Sequence, residues 1–481
     1  MMNKHTLLYL SCLLPLSACT TEEKSDKPMN IIYILADDLG YGDLSCTGQT
    51  KFETPHIDQL AQEGMLFTQH YAGSTVSAPS RSALMTGQHT GHTFIRGNKE
   101  LKDTEGQTPL PANTFTMAKM LKNAGYTTGA FGKWGLGFPS SEGEPTKQGF
   151  DQFFGYNCQR EAHRYYPDHL WNNEEKVMIE NNVGGVPVDY SSDLIHNEAL
   201  KFMDKNGDKP FFLFLSYTLP HAELFPPRDS LFNKYSDKFE EVPYVSPHGD
   251  YGKDMDVMKY VSQDKPYAAF AAMVARMDMY VGQVVDKLEE LGIADNTMIM
   301  FTSDNGPHRE GGANPDYFKS YGPFQGCKRD LTEGGIRLPL IVWAPGKVKA
   351  GVENRHICAS WDMLPTFAEL TGCRLPDDLN IDGISILPTL TGNDAQQKQH
   401  DYLYWEFHEL EGRQAVRMGD WKAVVNKVES AHPEFSLYDL SKDIHEDHDV
   451  SAQHPEIVAK IKSIMHTART KSSHFPFAFE K

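Results

Sequence analysis

The run NIIYILA at 30–36 is apolar along six consecutive residues and stops at Asp37-Asp38. A strand with one wet face would alternate, because successive side chains point to opposite sides; a run without alternation has both faces buried. A parallel strand between helices meets that condition, since parallel strands need crossover connections that cover the sheet. The same pattern recurs. FFLFLS (211–216), TMIMFT (297–302), PLIVWA (339–344) and residues 127–131 predict further strands. Helical patterns lie between them. TPHIDQLAQEG (54–64) has Thr54 as N-cap, Pro55 at the first position and Gly64 past the end. Residues 114–123, 194–203, 265–291 and 361–370 read as helices too, three of them closed by Gly125, Gly292 and Thr371-Gly372. Strands alternating with helices predict an α/β fold, a mostly parallel sheet sandwiched by helices.

Two insertions, 134–190 and 217–262, are rich in Gly, Pro, Asn and aromatics and predict irregular binding loops. After about residue 390 the pattern changes. DYLYWEFHE, RQAVRMGDWKAVV and FSLYDLS read as short antiparallel strands, followed by a helix over 455–467. The expected division is a catalytic domain over 29–390 and a smaller α+β domain with an antiparallel sheet over 391–481. No internal repeat is visible.

The amino terminus reads as a targeting segment. Lys4 and His5 precede an apolar stretch at 7–16, too short to span a bilayer, and Leu16-Ser17-Ala18-Cys19 follows. This ending is similar to a bacterial lipoprotein signal. The similarity implies cleavage before Cys19, lipid attachment to its sulfur, and a polar tether over 20–28. The protein is then expected to be exported and lipid-anchored in a bacterial envelope, at the periplasmic face or the cell surface. The five remaining cysteines, 46, 158, 327, 358 and 373, have irregular spacing and no C-x-x-C pair, which excludes a disulfide framework and a zinc site. A formal charge of −19 argues against nucleic acid as a partner. An anionic substrate must be attracted by a local cationic cluster.

Polar residues sit where such a cluster can form. Asp37-Asp38 follow the first strand, Lys133 follows 127–131, Pro220-His221 follow 211–216, and Asp304-Asn305 follow 297–302. Ligands of open parallel sheets bind at the carboxyl ends of strands, so these four ends converge on one site. Asp37, Asp38, Asp304 and Asn305 offer only oxygen, which suits Ca²⁺ or Mg²⁺. Asp377-Asp378, in a proline-rich loop with no strand before them, read as a solvated turn. Lys133, in GKWG, and Lys328, in GCKRDLTEGGIRLP, can reach an anion above the metal. His221, in LPHAE, reads equally as a packed loop histidine. The stretch DIHEDHD (443–449) reads as a solvated charge run. SAPSRSALMTG (77–87) puts Ser77 and Arg81 at the mouth of a helix, with no histidine beside the serine.

SAPSR matches the signature (Cys or Ser)-x-Pro-Ser-Arg of the type I sulfatases and continues as SALMTGQHTG. ADDLGYGD, GKWGLG, PHA, SDNGP and K…TEGGIRLP appear in that family's order. The resemblance covers about residues 29–385, and the carboxyl-terminal segment is similar to the family's smaller domain. It implies an alkaline-phosphatase-like α/β domain, a bound Ca²⁺ (ahead of Mg²⁺), and oxidation of Ser77 to formylglycine by an anaerobic-type maturating enzyme. By the same resemblance Asp37, Asp38, Asp304 and Asn305 are the metal ligands and Arg81 supports the formylglycine hydrate. Lys133 and Lys328 bind sulfate oxygens, and His221 stands near the leaving oxygen as general acid. A hydrated aldehyde carries two hydroxyls on one carbon: one attacks sulfur, and the other, once deprotonated, expels sulfate. A plain serine would be trapped as a stable ester.

One position departs from the family. A histidine commonly follows the lysine as Lys-Trp-His; here the residue is Gly135. His163, in REAHRYYPDHLW, is expected to take over part of that histidine's role. The insertion also looks like those of relatives acting on galactose or N-acetylgalactosamine 6-sulfates, which makes Asp168 and His169 candidates to bond an axial sugar hydroxyl. His308 and Arg309 are further candidates to line the pocket. The expected reaction is exo-acting hydrolysis of a sulfated saccharide. Two alternatives stand: a phosphohydrolase or phosphodiesterase of the alkaline phosphatase superfamily, and an inactive sulfoglycan-binding lipoprotein.

Overall fold

A computed structural model describes residues 27–101, 105–253 and 259–480. The signal segment and Cys19 lie outside them. The strands are β1 (Asn30–Ala36), β2 (Met65–Tyr71), β3 (Thr127–Lys133), β4 (Gln152–Tyr156), β5 (His169–Asn172), β6 (Glu175–Met178), β7 (Phe211–Ser216), β8 (Thr297–Ser303), β9 (Arg337–Trp343), β10 (Val352–Asn354) and β11 (Cys358–Ala359). They form one sheet in the order β10-β2-β9-β8-β1-β7-β3-β4-β5-β6, with β11 beside β2. The five central strands β4, β3, β7, β1 and β8 are parallel. β9 runs against both β8 and β2, and β5 and β6 close the other edge antiparallel.

β1 shows why its apolar run is unbroken. Ile32, Ile34 and Ala36 pack into a core with the helices Pro55–Glu63, Ser191–Asn206 and Pro266–Glu290. Ile31, Tyr33 and Leu35 pack into a second core with Met117–Asn123 and Met363–Thr371. Each large side chain so buried contributes about 1.5–3 kcal/mol. β1 therefore stabilises both layers, and its carboxyl end is held rigidly.

The insertion 134–190 is less irregular than its composition predicts, because β4, β5 and β6 extend the sheet. QFFGY is only five residues, and β5 and β6 are four each, β6 with charged, exposed positions, too short for a period to show. The carboxyl-terminal segment forms a separate antiparallel sheet of β12 (Leu403–Phe407), β13 (Arg413–Met418), β14 (Trp421–Asn426) and β15 (Glu434–Asp439), with the helix Pro455–Thr467 against it. The charge run 443–449 is not wholly solvated. Glu446 is buried, accepts from the Glu333 backbone N–H at 2.6 Å, and lies 3.3 Å from Lys422 of β14. Among the described residues no disulfide is formed, and no helix is long and apolar enough to cross a membrane.

Candidate active site

The segments after β1, β7 and β8 are tied together at once. Asp37 N–H donates to Leu219 O and Asp304 N–H to Ala36 O, both at 3.0 Å. Asp38 N–H donates to Asp304 Oδ1 at 3.1 Å. Ser77 opens the helix Ser77–Thr86, all ten residues of which are buried. Its hydroxyl donates to Asp37 Oδ1 at 3.1 Å and accepts from Lys133 Nζ at 3.2 Å. Lys133 also donates to Asp37 Oδ2 at 2.7 Å. Lys133 reaches this point because Gly132 (φ +116°) lets β3 pass close to β7; a Cβ there would stand 1.9 Å from Ser216 O.

Arg81 lies one turn into the helix. It grips Asp304 Oδ2 through Nε (3.2 Å) and a terminal nitrogen (2.9 Å), and donates to Lys133 O at 2.8 Å and to Ser216 Oγ. Its described contacts do not include the Ser77 side chain; it reaches Asp37 Oδ1 at 3.7 Å, the oxygen that accepts from Ser77. Lys328 donates to Asp38 Oδ2 at 2.7 Å. Three buried carboxylates thus face three cations, Arg81, Lys133 and Lys328. Such a pairing is required, because an unmatched buried charge is strongly unfavourable.

His221 projects from the loop after β7. Its Nδ1 donates to Ala222 O, so Nε2 is left as the acceptor for Lys328 Nζ at 3.1 Å, with Asp38 Oδ2 at 3.3 Å. His163 stacks on His221 (4.7 Å between centroids, 10° between planes), and so does His308 (5.5 Å, 22°). Burial, followed by the ammoniums of Lys328 and Lys133, holds His221 well below the usual imidazole pKa. Burial and then His221 itself do the same to His163. The stack is fixed by a clamp on the insertion. Arg164 pairs with Glu223 at 2.6 Å, Tyr165 N–H donates to Glu223 Oε1 at 3.2 Å, and Tyr165 OH hydrogen-bonds Thr218 O (2.7 Å) and His221 O (2.9 Å).

Other predicted residues lie elsewhere. His308 is buried, accepts from Glu310 N–H at Nδ1 (3.1 Å) and donates from Nε2 to Pro220 O (3.2 Å), so it backs His221 rather than lining an opening. Arg309 turns outward to Asp316. Asp168 and His169 hydrogen-bond each other at 2.5 Å, and His169 approaches Glu105 at 3.5 Å; their described partners are these and not the Ser77 cluster. Three residues beside the cluster escaped the sequence reading. Glu310 accepts from Lys328 at 3.3 Å, Arg329 pairs with Glu310 at 2.8 Å, and Tyr260 OH donates to Glu310 at 3.4 Å. An acidic residue five positions after Asn305 was the available signal for Glu310.

The oxygen set fits a hard divalent cation. Asp37, Asp38 and Asp304 are fully buried, ligand atoms of Asp37, Asp38 and His221 lie within 4.8 Å of one another, and Asn305 Oδ1 is buried with no hydrogen-bond partner among the described residues. A buried orphan carbonyl oxygen is costly unless something electropositive meets it. His89, His92 and Asp382 form another close group. There, Gly91 N–H donates to His89 Nδ1 at 3.1 Å, which leaves the proton on Nε2 facing Asp382 at 3.4 Å. A protonated nitrogen is not a ligand, so this group is a hydrogen-bonded clasp.

The decisive comparison is with families. The Sulfatase family model matches residues 29–373. The chain belongs to the sulfatase family. It is a sulfuric ester hydrolase of the type I sulfatase group. A model described as N-sulphoglucosamine sulphohydrolase, C-terminal, matches residues 321–471. Steryl-sulfatase of Rattus norvegicus is 31% identical over 448 residues, spanning 78% of this chain and 72% of the relative. N-acetylgalactosamine-6-O-sulfatase of Bacteroides thetaiotaomicron is 29% identical, spanning 93% of this chain and 94% of the relative. Among solved structures, Ps i-CgsB in complex with k-i-k-neocarrahexaose superposes with a TM-score of 0.77 at 28% identity, covering 94% of this sulfatase and 96% of that chain.

Proposed function

We propose that this sulfatase removes sulfate from a sugar at a chain end, with galactose or N-acetylgalactosamine 6-sulfate favoured. The observation that carries the reading is Ser77 Oγ held between Asp37 and Lys133 at a helix N-terminus, within a cluster of three carboxylates and three cations. The N-acetylgalactosamine-6-O-sulfatase relative and the neocarrahexaose-bound neighbour support a saccharide. The depth of Ser77, 1% exposed, favours a terminal sugar over an internal one.

In this reading Ser77 is the precursor of formylglycine, whose hydrate supplies one hydroxyl to attack sulfur and a second to release it. Lys133 and Lys328 bind the anion from two sides and neutralise charge as the S–O bond breaks. Arg81 positions Asp304 and the ends of β3 and β7. His221, with Nε2 toward Lys328, is the group nearest the leaving oxygen. Asp37, Asp38, Asp304 and Asn305 would hold Ca²⁺, which supplies Lewis-acid polarisation of a sulfate oxygen. The helix N-terminus adds favourable potential for an anion. The match of the Sulfatase family model to residues 29–373 disfavours the phosphohydrolase alternative. The amino-terminal segment supports export and lipid anchorage.

Two measurements test the core of this reading. Mass spectrometry of the Ser77 peptide from matured protein should show the loss of two hydrogens. A panel of defined sulfated monosaccharides should then be cleaved; a matured enzyme inactive on all of them would refute the saccharide assignment. Chelation should lower both activity and melting temperature, and Ca²⁺ should restore them better than Mg²⁺, because a ligand bound to the native state stabilises it by mass action. An unchanged melting temperature after exhaustive chelation would remove the metal from the site. Replacing His163 by Ala should lower turnover about 100-fold, the order of a lost general base, and trap sulfated enzyme. An unchanged turnover number would assign the role elsewhere.

A further inference from the structure

Outside the buried anion cluster stands a ring of partly exposed groups from four separate segments. Glu310 follows β8, Tyr260 comes from the second insertion, Arg329 follows Lys328, and Glu409 comes from the turn between β12 and β13. Glu310 touches the anion-binding lysine (Lys328 Nζ, 3.3 Å), Arg329 (2.8 Å) and Tyr260 OH (3.4 Å). Arg329 also faces Glu409, at 3.9 Å. Exposure rises outward: side chains of Lys328, Glu310, Arg329 and Glu409 are 6, 21, 40 and 45% exposed. Depth and order are those of an entrance.

The carboxyl-terminal sheet fixes this entrance. Arg329 is in the left-handed region (φ +77°), which a non-glycine residue adopts only when held there. Its N–H donates to Thr75 O at 3.1 Å, and Arg413 of β13 donates to Arg329 O and to Asp330 Oδ1 at 2.6 Å. One sheet thus supplies Glu409 and aims Arg329.

We propose that Tyr260, Glu310, Arg329 and Glu409 form a collar that recognises an uncharged, hydroxyl-bearing ring and rejects a second anionic group beside the scissile sulfate. This inference deepens the saccharide reading above and rests on it. The two carboxylates are acceptors for sugar hydroxyls, which always bring donors, and the Tyr260 ring, tilted against His163 (5.7 Å) and His221 (6.3 Å), ties them to the histidine stack. Lys328 is committed to the scissile sulfate in that reading and Arg329 pairs with Glu310 and faces Glu409, so a uronate or second sulfate meets Glu310 and Glu409 without a free counter-charge. Like charges in such a juxtaposition discriminate by repulsion.

Serine-form protein, prepared without maturation, binds without turnover and isolates recognition. Calorimetric titration should show galactose 6-sulfate binding at least about tenfold tighter than a galactose carrying two sulfates, the scale of one unfavourable charge contact. The exposed variant Glu409→Gln, which needs no refolding of a core, should shrink that ratio to within about threefold, and Glu310→Gln should shrink it further. In matured enzyme the same variants should raise KM for the sugar sulfate more than KM for an aryl sulfate, which brings no hydroxyls; a merely structural role would move both together. A preference that stays unchanged in both variants, or parallel losses on the two substrates, would overturn the collar. If matured wild type cleaves aryl sulfates and no sugar sulfate, the saccharide reading falls. Absence of any heat with galactose 6-sulfate alone overturns the collar.

Discussion

Alanine in place of Ser77 should leave a folded protein that releases no sulfate. The Ser77 hydroxyl makes its side-chain contacts to Asp37 and Lys133, and those two groups remain paired with each other at 2.7 Å without it. Melting should therefore shift by only a few degrees, the effect of about 1.5–3 kcal/mol for lost hydrogen bonds to charged groups in a chain of this size. Activity should respond differently. With no oxidisable carbon–oxygen group at position 77, no nucleophile remains at the helix mouth, and kcat/KM should fall by at least about 10⁴-fold, as when a covalent nucleophile is deleted. Steady-state assay of sulfate release from matured wild type and Ser77→Ala, beside their melting curves, checks both halves. Residual activity of a few per cent would place the nucleophile elsewhere; equal loss of stability and activity would make Ser77 a structural residue.

The contrast between Ser77 and its surroundings explains what the sequence could and could not reveal. Asp37, Asp38, His221, Asp304 and Asn305 were legible because each follows an unbroken apolar run, and burial on both faces of a parallel strand is written in its own residues; Lys133 follows TTGAFG, which has no such run, and was singled out only by its place after the strand at 127–131. Strand ends of one sheet converge by geometry alone. His163 was legible only as a candidate. Its stacking on His221 depends on the Arg164–Glu223 pair and on Tyr165 reaching Thr218 and His221, contacts between segments 53 to 59 residues apart. Glu310 and Arg329 sit beside residues that the sequence singled out, but a charge in a loop looks the same whether it faces water or a lysine. β2 was missed for a related reason: MLFTQHY is half-buried and carries a register shift between Phe67 and His70, so it has neither an unbroken run nor a clean alternation.

The run DIHEDHD makes the same point where the carboxyl-terminal sheet meets the segment before β9, and with a large energetic consequence. Lys422, wholly buried, lies 2.8 Å from Glu333 and 3.3 Å from Glu446. Glu333 also pairs with Arg337 at 3.1 Å and accepts from Tyr71 OH at 2.6 Å. Replacing Lys422 by Met should cost about 3–5 kcal/mol, because it strands buried carboxyl groups beside each other. The pH dependence follows from which carboxyl holds a proton. Burial raises Glu446 to about 7, with the neighbouring Glu333 adding to the rise and Lys422 opposing it. Glu333 is instead held low, despite its burial, by Lys422 and then Arg337. Native Glu446 therefore keeps a proton that the unfolded chain has lost. Its contribution is fully present below the unfolded carboxylate pKa and is lost as pH climbs through about 7. Glu333 behaves oppositely, and its contribution is lost only in strong acid, so it is constant across this window. Stability of the wild type should then fall by on the order of 2 kcal/mol between pH 5 and 8 from this group. Glu446→Gln, which keeps a neutral hydrogen-bonding side chain at the junction, should remove that slope. Denaturant melts of the two proteins at pH 5, 6.5 and 8 decide it. Parallel curves would mean that Glu446 is ionised in the fold and that Lys422 balances two negative charges at once. In that case Lys422→Met should cost more at pH 8 than at pH 5.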